Sequence, residues 1–131
     1  MKILVIDDDE IMTEILKLML RSAASAVLVA NSGADGIKFS REHSPDLIIL
    51  DTMLPDMDGM QVCRAVRQFS SVPILVLSGL DTPGAIVEAL KSGADDYLAK
   101  PVACHFLLNR IDQLVRQPHP QAVLVHPTVS A

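Results

Sequence analysis

Short apolar segments recur along the chain, and stretches with helical spacing separate them. These segments, which are four or five residues long, are Ile3–Ile6, Ala26–Ala30, Asp46–Leu50, Pro73–Leu77 and Asp96–Ala99. The first four are continuous and mostly rich in Ile, Leu and Val, which is typical of strands buried on both faces of a sheet. Strands of this kind that alternate with helices predict βαβ units and a parallel sheet.

The segments between the predicted strands place apolar residues at helical spacing. The predicted helices are Glu10–Arg21, Gly33–His43, Met60–Phe69, Pro83–Ser92 and Ala103–Gln117. Pro83 suits the first turn of a helix, and Gly93 suits the residue after its last turn. In the first helix, the stripe expected to face the core consists of Ile11, Ile15 and Leu18, with Met19 as a further candidate. Five strands and five helices predict a three-layer α/β domain.

Length and composition exclude several classes of protein. At 131 residues the chain has the length of about one domain, and an apolar fraction of 50% excludes disorder. One Tyr, three Phe and no Trp leave few side chains for base stacking. A net charge of −5 without a basic cluster argues against direct nucleic-acid binding by this chain.

Other features predict a cytoplasmic protein without a membrane partner. No apolar run approaches the roughly 18 residues of a membrane span, and the N-terminal apolar stretch is too short for a signal sequence. Cys63 and Cys104 lie far apart without a CxxC pair, which favours reduced thiols. Because three prolines interrupt residues 118–131, we expect a domain over residues 1–117 followed by a tail or the start of a linker.

Polar residues follow four of the five predicted strands. They are Asp7 and Asp8 after the first strand, Asp51 after the third, Ser78 after the fourth and Lys100 after the fifth. In open parallel sheets, binding sites lie at the carboxyl ends of the strands. Taken singly, each residue has a simpler explanation, such as the helix N-cap that we predict for Asp9. Their joint placement at one edge of the sheet is what indicates a site.

The residue types at this edge indicate phosphoryl chemistry. Three carboxylates in a confined site do not all stay ionised without a cation, and oxygen ligands of this kind suit Mg²⁺. A carboxylate beside Mg²⁺ can attack a phosphoryl group and form an acyl phosphate. The ammonium of Lys100 and the hydroxyl of Ser78 can stabilise the oxygens of the transferring group.

With these motifs, the chain resembles the receiver domains of bacterial two-component response regulators. The resemblance covers about residues 1–117. It is carried by Asp7 and Asp8, by Asp51 with the loop Met53–Gly59, by Ser78–Gly79 and by Gly93–Pro101. It implies a three-layer (βα)5 doubly wound α/β fold with the flavodoxin-like strand order 2-1-3-4-5.

The resemblance implies a Mg²⁺ site around the residue that accepts the phosphoryl group. Asp51 resembles that phosphoacceptor. Asp8 resembles the direct metal ligand, and Asp7 resembles the carboxylate linked to the metal through water. Asp51 and the backbone carbonyl of Met53 would complete the ligands that the protein supplies.

The resemblance also implies a switch. Ser78 and Tyr97 resemble the pair that moves after phosphorylation, and Lys100 resembles the lysine that pairs with the phosphoryl group. Pro101 would follow a cis peptide bond. Val102 departs from the Phe of many relatives, which concerns the packing of the last helix rather than chemistry.

The implied function is a phosphorylation-activated signalling switch. A histidine kinase or phosphotransfer protein would pass a phosphoryl group to Asp51, and the face made by the fourth helix, fifth strand and fifth helix would then change to control a partner or an output domain. The chain would not be a turnover enzyme, although it would catalyse its own phosphotransfer and slow autodephosphorylation.

Three alternatives remain at this point. A haloacid-dehalogenase-type phosphatase would need a second Asp two residues after the nucleophile, where this chain has Met53. A flavodoxin-like cofactor binder would need a phosphate loop after the first strand, where Asp7–Glu10 would repel a phosphate. A receiver that only docks would not need the complete set of site residues.

Two further expectations concern assembly and timing. The resemblance to receivers that are attached to winged-helix DNA-binding domains implies weak dimerisation that phosphorylation strengthens, on a face that includes Lys91, Asp95, Asp96, Arg110 and Arg116. Lys91 departs from the acidic residue usual in that subfamily, and Phe106 from the Glu that it often has. In receivers, the side chains two residues after the phosphoacceptor and two after the switch Ser flank the approach of the hydrolytic water. Because Met53 and Leu80 at these positions are bulky and cannot orient water, the resemblance implies a long-lived phosphorylated state.

Overall fold

The computed structural model describes residues 1–79 and 82–116. The strands are Lys2–Ile6 (β1), Ala26–Ala30 (β2), Leu47–Leu50 (β3), Ile74–Ser78 (β4) and Asp96–Ala99 (β5). The helices are Glu10–Leu20 (α1), Gly33–His43 (α2), Gly59–Arg67 (α3), Pro83–Lys91 (α4) and Cys104–Arg116 (α5). Each predicted element is present, with ends that differ from the prediction by at most two residues. The predicted tail, residues 118–131, lies outside the described residues.

The five strands form one parallel sheet in the order β2-β1-β3-β4-β5, which confirms the predicted fold. The pairing aligns the carboxyl ends of the strands. Ile6 at the end of β1 lies opposite Leu50 at the end of β3, and Ser78 at the end of β4 lies opposite Ala99 of β5. The residues that follow these strands therefore meet at one edge of the sheet.

Alternate residues of the strands fill two aliphatic cores, one on each face of the sheet. Ile3 and Val5 of β1 pack with residues of α1 and α5, such as Leu16 and Leu107. Leu4 and Ile6 of β1 pack on the opposite face, with residues of α3 such as Val62. Because both faces are covered by helices, the carboxyl edge of the sheet is left as the place for polar side chains.

The predicted apolar stripe of α1 is wrong for Ile11, Ile15 and Leu18, which are exposed, whereas the further candidate Met19 is partly buried against the core. Leu16 and Leu20 are buried, whereas Ile11 is 75% exposed and Leu18 is 61% exposed. The helix has apolar residues on more than one side, so that helical spacing fits either stripe. Packing of Leu16 and Leu20 in the same core as residues of β1 and α5 decides which stripe is buried.

The helix ends show why the chain folds locally as predicted. The Asp9 carboxylate accepts hydrogen bonds from the backbone N–H groups of Ile11 and Met12, which confirms it as the N-cap of α1. Pro83 lies in the first turn of α4, and Gly93 after that helix has a φ of 111°, in the region that favours glycine.

Cys63 is buried and Cys104 is exposed, and both carry free thiols. Within residues 1–79 and 82–116, the helices are all too short or too polar to cross a membrane.

Candidate functional site

Three carboxylates meet at the carboxyl edge of the sheet. Asp7 and Asp8 follow β1 directly, Asp51 follows β3, and the Asp51 N–H donates to the Ile6 carbonyl at 2.9 Å. One oxygen from each of the three carboxylates lies within 4.8 Å of the others. Asp7 is buried, Asp51 is half-buried and Asp8 is exposed, so that the cluster opens to solvent on one side.

Lys100 supplies a positive charge to this cluster. Its Nζ lies 3.4 Å from Oδ2 of Asp7 and 3.6 Å from Oδ1 of Asp51. The backbone places it there, because the Lys100 N–H donates to the Ser78 carbonyl at 2.8 Å. The Lys100–Pro101 peptide bond is cis, as predicted. Three carboxylates and one ammonium sum to a formal charge of −2, which favours a divalent cation.

The environment of Asp51 shows how closely charge is balanced in the site. Burial raises the pKa of Asp51 above its ordinary value, and the nearby Asp7 carboxylate raises it further. Lys100 and hydrogen bonds from the backbone of Met53 and Thr52 act in the opposite direction. The net increase in pKa means that the ionised Asp51 carboxylate gains more than usual from a second cation.

Hydrogen bonds hold Asp7 in place as the buried member of the cluster. Its Oδ1 accepts the N–H of Asp9 at 2.9 Å, and its backbone carbonyl accepts Nδ2 of Asn31 at 3.1 Å. Asp7 is therefore held by the turn that follows β1 and by Asn31, which follows β2, whereas Asp8 is exposed to solvent, where a ligand can reach it. The donor set, three carboxylate oxygens with open access, fits the Mg²⁺ that the sequence predicts.

Ser78 lies beside the cluster, and its hydroxyl has a partner that the sequence analysis missed. The Oγ of Ser78, a residue only 1% exposed, lies 2.8 Å from Oγ1 of Thr52. Leu50 pairs with Val76, and continuing that register by two residues places Thr52 opposite Ser78. The pairing register could have revealed this contact, but a single Thr after a strand carries no signal of its own.

Tyr97 on β5 lies between two cavities. Its hydroxyl oxygen is buried and has no hydrogen-bond partner within residues 1–79 and 82–116. A cavity of about 180 Å³ is bordered by Tyr97, Thr52, Asp58 and residues of α3 and α4. A second cavity, of about 500 Å³, is bordered by Tyr97, Ile86 of α4 and Phe106 of α5. Tyr97 therefore links the Thr52 side of the site to the face formed by α4, β5 and α5.

The loop after β3 folds back beside the site. Met53 pairs with Asp58 in an isolated antiparallel bridge, and the Met53 side chain is 70% exposed. This places Met53 next to Asp51 with its side chain towards solvent. Leu80, the other residue on which the predicted long lifetime depends, lies outside the described residues.

Comparison with known proteins decides the family. The chain matches the family profile described as "response regulator receiver domain" over residues 3–112. The chain belongs to this family. The assignment confirms the resemblance seen in the sequence and identifies the chain as a receiver domain of two-component signalling.

Curated relatives support the assignment. The receiver domain is 43% identical over 115 residues to the transcriptional regulatory protein AfsQ1 of Streptomyces coelicolor, covering 88% of this chain and 51% of the relative. It is 40% identical over 121 residues to the response regulator MprA of Mycobacterium leprae, covering 92% and 53%. The chain thus spans about half the length of the curated relatives that it matches.

Solved structures agree. The beryllofluoride-activated N-terminal receiver domain of Klebsiella pneumoniae RstA is 32% identical with a TM-score of 0.85, covering 89% of this chain and all of that one. The Francisella response regulator 1452 receiver domain is 33% identical with a TM-score of 0.82, covering 88% and 96%. The curated relatives and the solved structures therefore both support a receiver domain.

Proposed function

We propose that Asp51 of this receiver domain accepts a phosphoryl group from a histidine kinase or phosphotransfer protein in the cytoplasm. The observation that supports this most is the group of charges around Asp51. Its carboxylate lies within 4.8 Å of Asp7 and Asp8 and 3.6 Å from the Lys100 ammonium. A nucleophile, a cation site and a positive charge are thus adjacent, which phosphoryl transfer requires.

The carboxylates of Asp7, Asp8 and Asp51, with the backbone carbonyl of Met53, are the groups that would hold Mg²⁺. When bound, Mg²⁺ supplies charge neutralisation for the phosphoryl oxygens. Lys100, which lies within 4 Å of Asp7 and Asp51, would offset further negative charge. The Asp51 carboxylate then forms the new O–P bond as the donor's bond to phosphorus breaks. The domain acts once per phosphoryl group and is not a turnover enzyme.

The same geometry supports a switch. A phosphoryl group on Asp51 adds negative charge and strong acceptor oxygens beside Ser78. Ser78 would donate its hydroxyl to this group, and Tyr97 would move in response. Since Tyr97 borders the cavity between α4 and α5, this movement would change the face formed by α4, β5 and α5.

That face would control an output. MtrA of Mycobacterium leprae, a relative that is 40% identical, is named a DNA-binding response regulator, and the match covers 52% of it. We therefore propose that phosphorylation regulates a partner or an output domain through the α4–β5–α5 face, and that this domain does not itself contact nucleic acid.

The test is phosphorylation by a small donor. With acetyl phosphate and Mg²⁺, the intact mass of the chain is expected to increase by one phosphoryl group, and Asp51→Asn is expected to abolish the increase. The matched control is Asp112→Asn, which changes an exposed Asp of α5 that pairs with Arg116. Labelling that persists in Asp51→Asn, or that EDTA does not prevent, would contradict the proposal.

A further inference from the structure

The hydroxyl of Ser78 is hydrogen-bonded to the hydroxyl of Thr52 in the unphosphorylated domain. Their side-chain oxygens are 2.8 Å apart, the distance of a good hydrogen bond between hydroxyls. Ser78 is nearly inaccessible to water, so that solvent can reach this bond only from the side of the half-buried Thr52. A hydrogen bond in such a place contributes more to an equilibrium than one at the surface.

The backbone around Thr52 is fixed on several sides. The Thr52 carbonyl accepts the N–H of Gly59 at 3.0 Å, and the Met53–Asp58 bridge closes the loop beyond it. Gly59 packs directly on Thr52, because a Cβ added to Gly59 would lie 2.7 Å from the Thr52 Cα. The backbone of Thr52 is therefore held in place, so that Ser78 is the residue that moves when the bond between them breaks.

We propose that Thr52 is a positioning residue that holds Ser78 in its resting place and thereby sets how readily the domain enters its phosphorylated form. This inference rests on the proposed function, in which the Ser78 hydroxyl donates to a phosphoryl oxygen on Asp51. Either hydroxyl could donate in the contact between Ser78 and Thr52, and we infer that Ser78 does. A hydroxyl has one proton to donate, so that Ser78 cannot then donate it to Thr52 and to the phosphoryl group at once. With Ser78 as the donor, the bond to Thr52 opposes donation to the phosphoryl group and stabilises the form in which Ser78 faces Thr52.

The structure also shows what the released Thr52 hydroxyl would meet. Thr52 borders the cavity of about 180 Å³ that Tyr97 also borders. A volume of this size holds several water molecules at roughly 30 Å³ each. Water can then replace Ser78 as the partner of Thr52 after the switch. The loss of the bond to Ser78 therefore opposes the switch without preventing it.

The experiment measures the apparent Kd of the full chain for beryllofluoride, a phosphoryl mimic, in excess Mg²⁺ by NMR titration. Thr52→Val keeps the shape and removes the hydroxyl, and it is expected to bind the mimic about 2- to 10-fold more tightly, the value of one hydrogen bond. Thr52→Ser keeps the hydroxyl and is expected to match the wild type. Thr52→Ala serves as a second variant if Thr52→Val does not fold.

A cycle with Ser78→Ala separates this role from a structural one. In the Ser78→Ala background, titrated to saturation, Thr52→Val is expected to change the Kd no further. Unchanged or weaker binding by Thr52→Val in the wild-type background would overturn the inference, as would a gain that persists without Ser78. If the wild type itself does not bind beryllofluoride, or binds it as well after Asp51→Asn, the proposed function fails and this inference fails with it.

Discussion

The charges nearest Asp51 stabilise its ionised carboxylate only in part. Burial and Asp7 raise the pKa of Asp51, and Lys100 lowers it without restoring the ordinary value. The ionised Asp51 carboxylate is therefore less stable than that of an ordinary exposed Asp, and added positive charge would stabilise it. This is the electrostatic condition for a residue that is to bind a cation and then react.

Met53 allows a prediction about how long the phosphorylated state lasts. Hydrolysis of an acyl phosphate needs a water in line with the leaving carboxylate, and the Met53 side chain beside Asp51 has no group to orient that water. Met53→Asn is expected to speed the loss of phosphoryl label by about 2- to 10-fold, the effect of one added hydrogen bond. Loss of label over time, followed by intact mass, measures this.

The matched control is Met53→Leu, which is expected to lose label at the wild-type rate. Leu80→Glu tests the second position of the same argument. The shielding explanation is wrong if neither Met53→Asn nor Leu80→Glu accelerates the loss.

Among the elements, α2 depends on a residue outside itself. Oδ1 and Oδ2 of Asp56, in the loop after β3, accept the N–H groups of Gly33 and Ala34 at 2.8 and 2.9 Å. These N–H groups belong to the first turn of α2, where a negative charge is favourable. The two hydrogen bonds lower the pKa of Asp56 below 3.8. The loop that borders the site is thereby tied to a helix on the same side of the sheet.

Asp56→Asn is expected to lower the Tm at neutral pH. A carboxyl whose pKa is lower in the folded state stabilises that state above the unfolded pKa, and this contribution is lost as pH falls through the folded value. The Tm difference from wild type is therefore expected to shrink as pH falls below 3.8. Thermal melts across that range measure it. Asp35→Asn, in the first turn of the same helix, is the control. An equal pH dependence in both variants would refute the role of the two hydrogen bonds.

Local signals predicted the elements, whereas contacts between distant residues limited the prediction of detail. Aliphatic runs gave β1 to β4, and the strand-end rule placed Asp7, Asp51 and Lys100 together because it depends only on topology. The prediction of the buried face of α1 was wrong because packing with β1 and α5 decides which face is buried. The contact between Thr52 and Ser78 was missed because a single Thr after a strand carries no signal, and only the pairing of β3 with β4 brings it opposite Ser78.

At the scale of the whole molecule, four of the five charged residues of the predicted dimer face are paired within the chain. Asp95 is buried and lies 3.0 Å from Arg67, so that it is not available at the surface. Asp96 is paired with Arg110, and Arg116 with Asp112. The surface of α4 and α5 nevertheless exposes Val87, Leu90 and Phe106. An interface here would join exposed apolar side chains while the Asp96–Arg110 pair changes partners between copies.

We therefore expect a weak dimer that beryllofluoride and Mg²⁺ strengthen. The small apolar area and the competition from pairs within the chain keep the resting affinity low, and a change in the α4–β5–α5 face would increase it. Sedimentation velocity at high protein concentration measures the effect. Arg110→Ala is expected to reduce dimerisation, because it removes one member of the exchangeable pair, whereas Lys17→Ala on α1, which pairs with Glu14, is expected to leave it unchanged. A monomer with and without the mimic would exclude the dimer, and equal loss in both variants would place any interface elsewhere on the domain.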